Sequence, residues 1–334
     1  MSEVSLRSIA QAAGVSASLV SRILRNNMGN VSASDQVRQR VLRIADEMGY
    51  SPDQRARRLR TGQNETIAVV LPIGRNFATS LGPEEFRGIM EQTKKYDYDF
   101  IFRYFSNSDE ETATLKDVVG MHIDGLLFAP SAYFPFTEEK RQLFHRLQKR
   151  GVKIMFIGER YPIPDTCFVN IDDVAGTIAA LEMLLEDGAR KIAYFYCLME
   201  RRLEAVRTMC AERGVALQVY ECSDFTMEAA EAAARHCLAQ ECPSHVLAIC
   251  DITAIGVRKV FRQNGINPMI VGFDGLKLCS LLDDSFPTVC QPVYESGQLA
   301  VRNLMAWIMG EEIESITLKT VVKRTNEKKG RSQQ

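Results

Sequence analysis

Two hydrophobic rhythms divide the 334-residue chain. In the first 50 residues, apolar positions recur at helical spacing. A helix is expected after Ser5, with Ser5 as N-cap and Val4 and Ile9 as an apolar staple across it. Gly14 ends that helix, and Ser16 caps a second one, where Val15 and Val20 repeat the staple. A third helix is expected after Ser32, with Ser32-x-x-Asp35 as a capping box. Its apolar face is Val37, Val41, Ile44, Ala45 and Met48, and Gly49 closes it. Two helices meeting at a glycine turn, with a third beneath them, are the usual device for seating a helix in the DNA major groove.

From Thr66 onward the rhythm changes to short apolar runs separated by helical stretches. Strands are expected at Ile67–Leu71, Phe100–Phe102, Gly125–Ala129, Lys153–Ile157, Lys191–Tyr196, Val215–Tyr220, His245–Cys250 and Met269–Phe273. Helices are expected from about Glu84, Glu110, Glu138, Asp173, Glu200, Met227 and Thr253. Apolar strands alternating with helices mean parallel sheets covered on both faces. The rhythm breaks over Gly158–Asp172, which predicts two lobes. The expected fold is therefore an all-α head followed by an α/β two-lobed body. Ligands on such sheets bind beyond the carboxyl ends of the strands, here in a cleft between the lobes. Residues 51–62, Ser-Pro-Asp-Gln-Arg-Ala-Arg-Arg-Leu-Arg-Thr-Gly, are too short and polar for an independent helix. They read as a conditional hinge helix or as a plain flexible linker. The expected division is a head over 1–50, a hinge over 51–62, a body over 63–325 and a disordered tail over 326–334.

Charge sharpens the division. Residues 1–60 carry ten Arg, no Lys and five acids, a charge of +5, whereas the remainder carries −6. A basic head on an acidic body points to nucleic acid at one end. Arginine forks suit guanine and phosphate. No apolar run reaches the length of a membrane span and the first 25 residues lack a signal-peptide core, so a cytoplasmic location without a membrane partner is expected. The nine cysteines include no Cys-x-x-Cys pair and are expected to be free thiols.

The ordered set Ile9-Ala-Gln-Ala-Ala-Gly-Val-Ser16, Val20-Ser-Arg22, Val31-Ser32, Gly49-Tyr50-x-Pro52, Ala56-Arg57 and Leu59 resembles the lactose-repressor/galactose-repressor family of bacterial transcription regulators. The resemblance continues through Asp124-Gly125, Asn170–Gly176, Asp187–Ala193, Gly272-Phe-Asp274 and Thr288-Val-x-Gln-Pro292. It implies a ligand-responsive repressor that binds a near-palindromic operator as a homodimer. It also implies a body like that of periplasmic sugar-binding proteins, closed around a sugar or sugar derivative. Dimer or tetramer, induction or co-repression, and an effector-independent regulator all stay open.

The resemblance assigns DNA contact to Leu6, Ser16, Ala17, Ser18, Ser21 and Arg22, and to Ala56, Arg57 and Leu59 of the hinge. Leu59 would be an apolar wedge between central base pairs, at an unstacking cost of a few kcal/mol. It assigns effector contact to Phe77, Glu159, Arg160, Arg202, Phe225, Cys250 and Asp274. Several positions depart from the family pattern: Leu19, Arg25 and Asp53 toward DNA, and Glu159, Ala205 and Cys250 toward the effector. Cys250 loses an amide that could bond a sugar, which implies an effector less hydroxyl-rich than a typical hexose or one bound differently. No phosphate-cradling glycine loop follows Ile67–Leu71 and four scattered histidines suggest no triad, so neither catalytic residues nor a cofactor is expected. His236, Cys237, Cys242 and His245 lack zinc-site spacing and are read as a helix end and a strand start, with no metal.

Overall fold

The computed structural model describes residues 5–24, 33–50, 64–74, 80–131, 133–240, 242–281 and 286–324. Arg25, Ser32, Phe77, the strip 51–62 with Asp53, Ala56, Arg57 and Leu59, and the tail 326–334 lie outside the described residues, as does Val4 of the first staple. The chain forms two compact units, residues 1–63 and 64–334.

In the first unit, α1 spans Leu6–Ala13, α2 Ala17–Leu24 and α3 Asp35–Glu47. Ser5 caps α1 in a reciprocal capping box with Ser8, and Gly14 ends it at φ 65°. The third helix starts later than its capping box predicted. Its N-cap is Ser34, whose hydroxyl accepts the Val37 N–H at 3.4 Å. Ser34 sits directly before the first helical residue, so its side chain reaches the third amide of the helix. Ile9, Ala10, Ala13, Val20, Ile23, Val41 and Ala45 are buried together, and Val37, Ile44 and Met48 pack around them.

The second unit holds two six-stranded sheets. One contains β1 Thr66–Pro72, β2 Asp99–Phe105, β3 Gly125–Phe128, β4 Lys153–Ile157, β5 Cys167–Ile171 and β11 Ile316–Leu318, in the order β11-β5-β4-β3-β1-β2. The other contains β6 Lys191–Tyr196, β7 Ala216–Glu221, β8 His245–Ala248, β9 Met269–Asp274, β10 Thr288–Cys290 and β12 Val321–Lys323, in the order β12-β10-β9-β8-β6-β7. Among the described residues, every pairing is parallel except β10 with β12. The first lobe carries helices α4 Gly82–Thr93, α5 Ser108–Gly120 and α6 Glu138–Lys149. The second carries α7 Asp173–Glu186, α8 Glu200–Glu212, α9 Met227–Gln240 and α10 Asp251–Gln263. The last helix, α11 Val293–Ile308, returns to the first lobe and packs on α4.

Where the structure departs from the sequence pattern, local competition explains it. The segment read as a break contains β5, whose half-buried positions Cys167, Phe168 and Asn170 dilute the apolar signal. The strand expected to reach Cys250 stops at Ala248, because the Cys250 thiol accepts the Thr253 N–H and caps α10. His236, Cys237 and His245 have separate partners: Gln240, the second-lobe core, and Ser244 with Asp187. Among the described residues, no helix is long and apolar enough to cross a membrane.

The two lobes join through three crossings of the chain: between β5 and α7, between β10 and α11, and between β11 and β12. Asp172 N–H donates to the Leu318 carbonyl at 2.8 Å, tying two crossings together. Gly176 sits beneath them, where a Cβ would come within 2.6 Å of the Thr320 hydroxyl. This topology points the carboxyl ends of β6, β8 and β9 and the amino ends of α7, α8 and α10 toward one cleft.

Candidate nucleic-acid interface and ligand cleft

In the first unit, α2 presents the expected residues in order. The Ser16 hydroxyl accepts the Leu19 N–H at 3.2 Å and lies 3.0 Å from the Ser18 hydroxyl. Ser18 and Arg22 are exposed, and Ala17 and Ser21 are half-buried. Val20 and Ile23 turn inward, so the opposite stripe of the helix is the one left to solvent. Leu6 is half-buried against the small core, which gives it a packing role besides any contact outward. Arg7, Arg40 and Arg43 add exposed positive charge on α1 and α3. They were not singled out in the sequence, where an isolated arginine on a helix carries no motif.

In the second unit, the structure brings Arg202, Phe225, Cys250 and Asp274 to one inner cavity of 260 Å³. Ser80, Tyr133, Asp173, Met199 and Gln291 complete much of its wall. Glu159 and Arg160 line an adjoining outer cavity of 400 Å³, which shares Asp173, Met199 and Arg202 with the inner one. Phe77 lies outside the described residues.

Hydrogen bonds and a stacked ring position Arg202, Asp274 and Gln291 in the wall. Arg202 is buried in the first turns of α8, and its Nε donates to the Thr177 hydroxyl at 2.7 Å. Its guanidinium lies over Phe273, 3.7 Å from the ring centroid. Asp274 ends β9 with φ 117°, a conformation that a side chain rarely adopts and that tends to accumulate at ligand sites. Gln291 Nε2 donates to Asp274 Oδ1 at 2.8 Å. Behind it, Asp251 accepts from the Thr288 hydroxyl at 2.6 Å and from the Leu276 N–H at 2.7 Å, pinning the turn after β9. Gly272 lets that carboxylate approach, since a Cβ would lie 2.3 Å from Asp251 Oδ1.

The electrostatics follow from this enclosure. Burial, reinforced by the Asp251 charge, pushes the Asp274 carboxyl up to about 8, while Arg202 and Gln291 pull it the other way. Burial pushes Asp251 up to about 6 and the Cys250 thiol up to about 12. Cys250 is therefore an uncharged capping thiol, not a nucleophile.

Contacts between described residues span the cleft. The rings of Tyr133 and Phe225 meet with centroids 5.7 Å apart. Arg201 forms an ion pair with Glu159, and Lys277 reaches Glu84 at 2.8 Å. Phe225 thus faces an aromatic partner from the opposite lobe. Arg160 stacks over Phe168 at 4.5 Å and is exposed. Sequence reasoning missed Tyr133, Asp173 and Gln291 as wall residues. The last two stand inside the segments Asn170–Gly176 and Thr288–Pro292 that carried the resemblance, whereas Tyr133 carries no local signal.

Comparison with known proteins gives the same picture along the whole chain. Residues 5–53 match the model of bacterial regulatory proteins of the lacI family, and residues 181–325 match that of the periplasmic binding protein-like domain. Catabolite control protein A of Priestia megaterium is 26% identical, over 93% of this chain and 95% of that protein. The ribose operon repressor of Halalkalibacterium halodurans is 28% identical, over 96% of each. The lac repressor dimer bound to operator and the anti-inducer ONPF shares the fold at a TM-score of 0.79 and 18% identity, covering 97% of this chain and 98% of that one. A lacI-type head joined to a periplasmic-binding-protein-like body, with full-length relatives that are regulators rather than enzymes, has one reading: the chain belongs to the lactose-repressor/galactose-repressor family of bacterial transcription regulators.

Proposed function

We propose that this regulator acts as a repressor in the cytoplasm, binding a near-palindromic operator as a homodimer under the control of a sugar or sugar derivative held between its lobes. Residues 1–50 form the DNA-binding domain, 51–62 the hinge and 63–325 the effector-binding and dimerisation body, with 326–334 a tail outside these. Ser16, Ala17, Ser18, Ser21 and Arg22 read or position the major groove, with Leu6 beside them. Ala56, Arg57 and Leu59 engage the minor groove at the operator centre. Arg202, Phe225, Cys250 and Asp274 hold the effector, with Glu159 and Arg160 at its outer rim.

The observation that carries this reading is the convergence of Arg202, Phe225, Cys250 and Asp274, widely spaced in the chain, on one cavity of the cleft. Effector occupancy changes lobe closure, and closure changes the geometry offered to two hinges at the operator. The ribose operon repressor among the relatives supports the sugar class. The test is titration of labelled promoter DNA with the full chain. Specific binding should be dimeric and should weaken steeply with salt, as counterion release by several arginines requires. Salt-insensitive binding, or a monomer on the DNA, would refute it.

A further inference from the structure

Arg202 lines both cavities of the cleft and is 3% exposed. Its contacts are the Thr177 hydroxyl, the Met199 sulfur at 3.7 Å and the face of Phe273. None of these is a carboxylate. Nη2 is buried and has no hydrogen-bond partner. A guanidinium stays charged at every physiological pH, and enclosing it without an anion is costly. A second buried donor without a partner, the Tyr194 hydroxyl, feels the charges of Arg202 and Asp173.

Among the described residues, none of the acids nearby forms an ion pair with Arg202. Glu159 pairs with Arg201, and Asp173 lies 4.0 Å from the same guanidinium. Asp251 is occupied by Thr288 and Leu276. Asp274 is held by Gln291 and stays largely protonated at pH 7, because burial and Asp251 raise it to about 8. Much of the remaining inner wall is apolar: Leu81, Met199, Phe225, Ile249 and Ile252.

We propose that the effector of this chain carries a carboxylate, seated on the Arg202 guanidinium, on a partly apolar body, rather than being a neutral sugar. The proposal rests on the cleft being the effector site. One guanidinium balances one negative charge, whereas a phosphate dianion would leave a second charge enclosed without a counterion. The nearest candidates, Arg201 and Arg160, are engaged with Glu159 and Phe168. Asp274 in its acid form donates an O–H to the ligand where its carboxylate would repel it.

The test is calorimetric titration of the full chain with D-gluconate, D-glucuronate, D-galacturonate and benzoate. Their comparators are D-glucose, D-galactose, benzyl alcohol and glucose 6-phosphate. At least one acid should bind tenfold or more tightly than its neutral parent. Arg202→Gln should lose that binding while keeping operator affinity, which shows that the variant is folded. Asp274→Asn removes the titrating carboxyl, so whatever affinity remains should no longer decline as pH rises through about 8. No binding by any acid, equal binding of acid and parent, or preference for the sugar phosphate overturns the proposal. Operator titration of the same preparation separates the two ideas. Operator binding tuned by a neutral sugar sinks the carboxylate alone, whereas no operator binding at all sinks the regulator reading beneath it.

Discussion

Single groups in this chain are positioned by short polar contacts whose removal has a calculable direction. The Ser16 hydroxyl satisfies an amide at the start of α2. Ser16→Ala should therefore destabilise the small head by about 1 kcal/mol, read as an earlier denaturation transition of that unit. Asp274 offers a second prediction at this scale. It is faced by Asp251, Arg202, Gln291, Cys250 and Tyr133, and its carboxyl titrates at about 8 against an ordinary 3.8. A carboxyl raised on folding favours its neutral form. Its contribution to the native state is therefore undiminished at low pH and turns unfavourable as pH climbs from about 4 toward 8. Affinity for an acidic ligand should fall as pH rises through that upper value, and a flat profile in calorimetric titrations between pH 6 and pH 9 would contradict it.

Secondary-structure elements in the body are held at distances that leave no room for a methyl group. Gly88 of α4 and Gly297 of α11 allow the two helices to touch. A Cβ at Gly88 would lie 2.1 Å from the Tyr294 carbonyl oxygen, a backbone atom that cannot rotate away. Gly88→Ala should cost about 1–3 kcal/mol in urea denaturation, whereas Gly120→Ala, at an open helix end, should be neutral or slightly stabilising. Lys140 and Glu111 form a wholly buried ion pair that also receives the Tyr161 hydroxyl at 2.5 Å. That network fixes the loop carrying Glu159 and Arg160. Lys140→Ala should cost about 3–5 kcal/mol, because it strands a buried carboxylate.

The elements also show what was legible in the sequence. Strands such as Lys153–Ile157 and Lys191–Tyr196 stand out, because strands covered on both faces read as unbroken apolar runs. The strand β5 was not legible, since three of its five side chains are only half-buried and one of them is the polar Asn170. The helix α11 has Val293, Ala300, Val301, Leu304 and Met305 at helical spacing. Its return to the first lobe is a tertiary event that no local pattern carries. The cleft residues followed the same division. Arg202, Phe225, Cys250 and Asp274 stood at legible positions, one of them ending a strand and three opening helices or their approach. Tyr133 joins them by reaching across from the other lobe.

At the scale of the whole molecule, the claim is that closure of the cleft and affinity for DNA are one equilibrium. The two charged contacts across the cleft, Arg201 with Glu159 and Lys277 with Glu84, are partly exposed and individually weak, so ligand can tip the balance. Glu159→Gln should loosen the closed form and weaken ligand binding severalfold without touching Arg202, measured by calorimetry. The most direct test is the affinity of the full chain for its promoter DNA with and without a saturating cleft ligand. The account predicts a change of at least about tenfold, or 1.4 kcal/mol, that disappears in Arg202→Gln while ligand-free affinity is retained. The same affinity for DNA whether or not ligand is bound would contradict it.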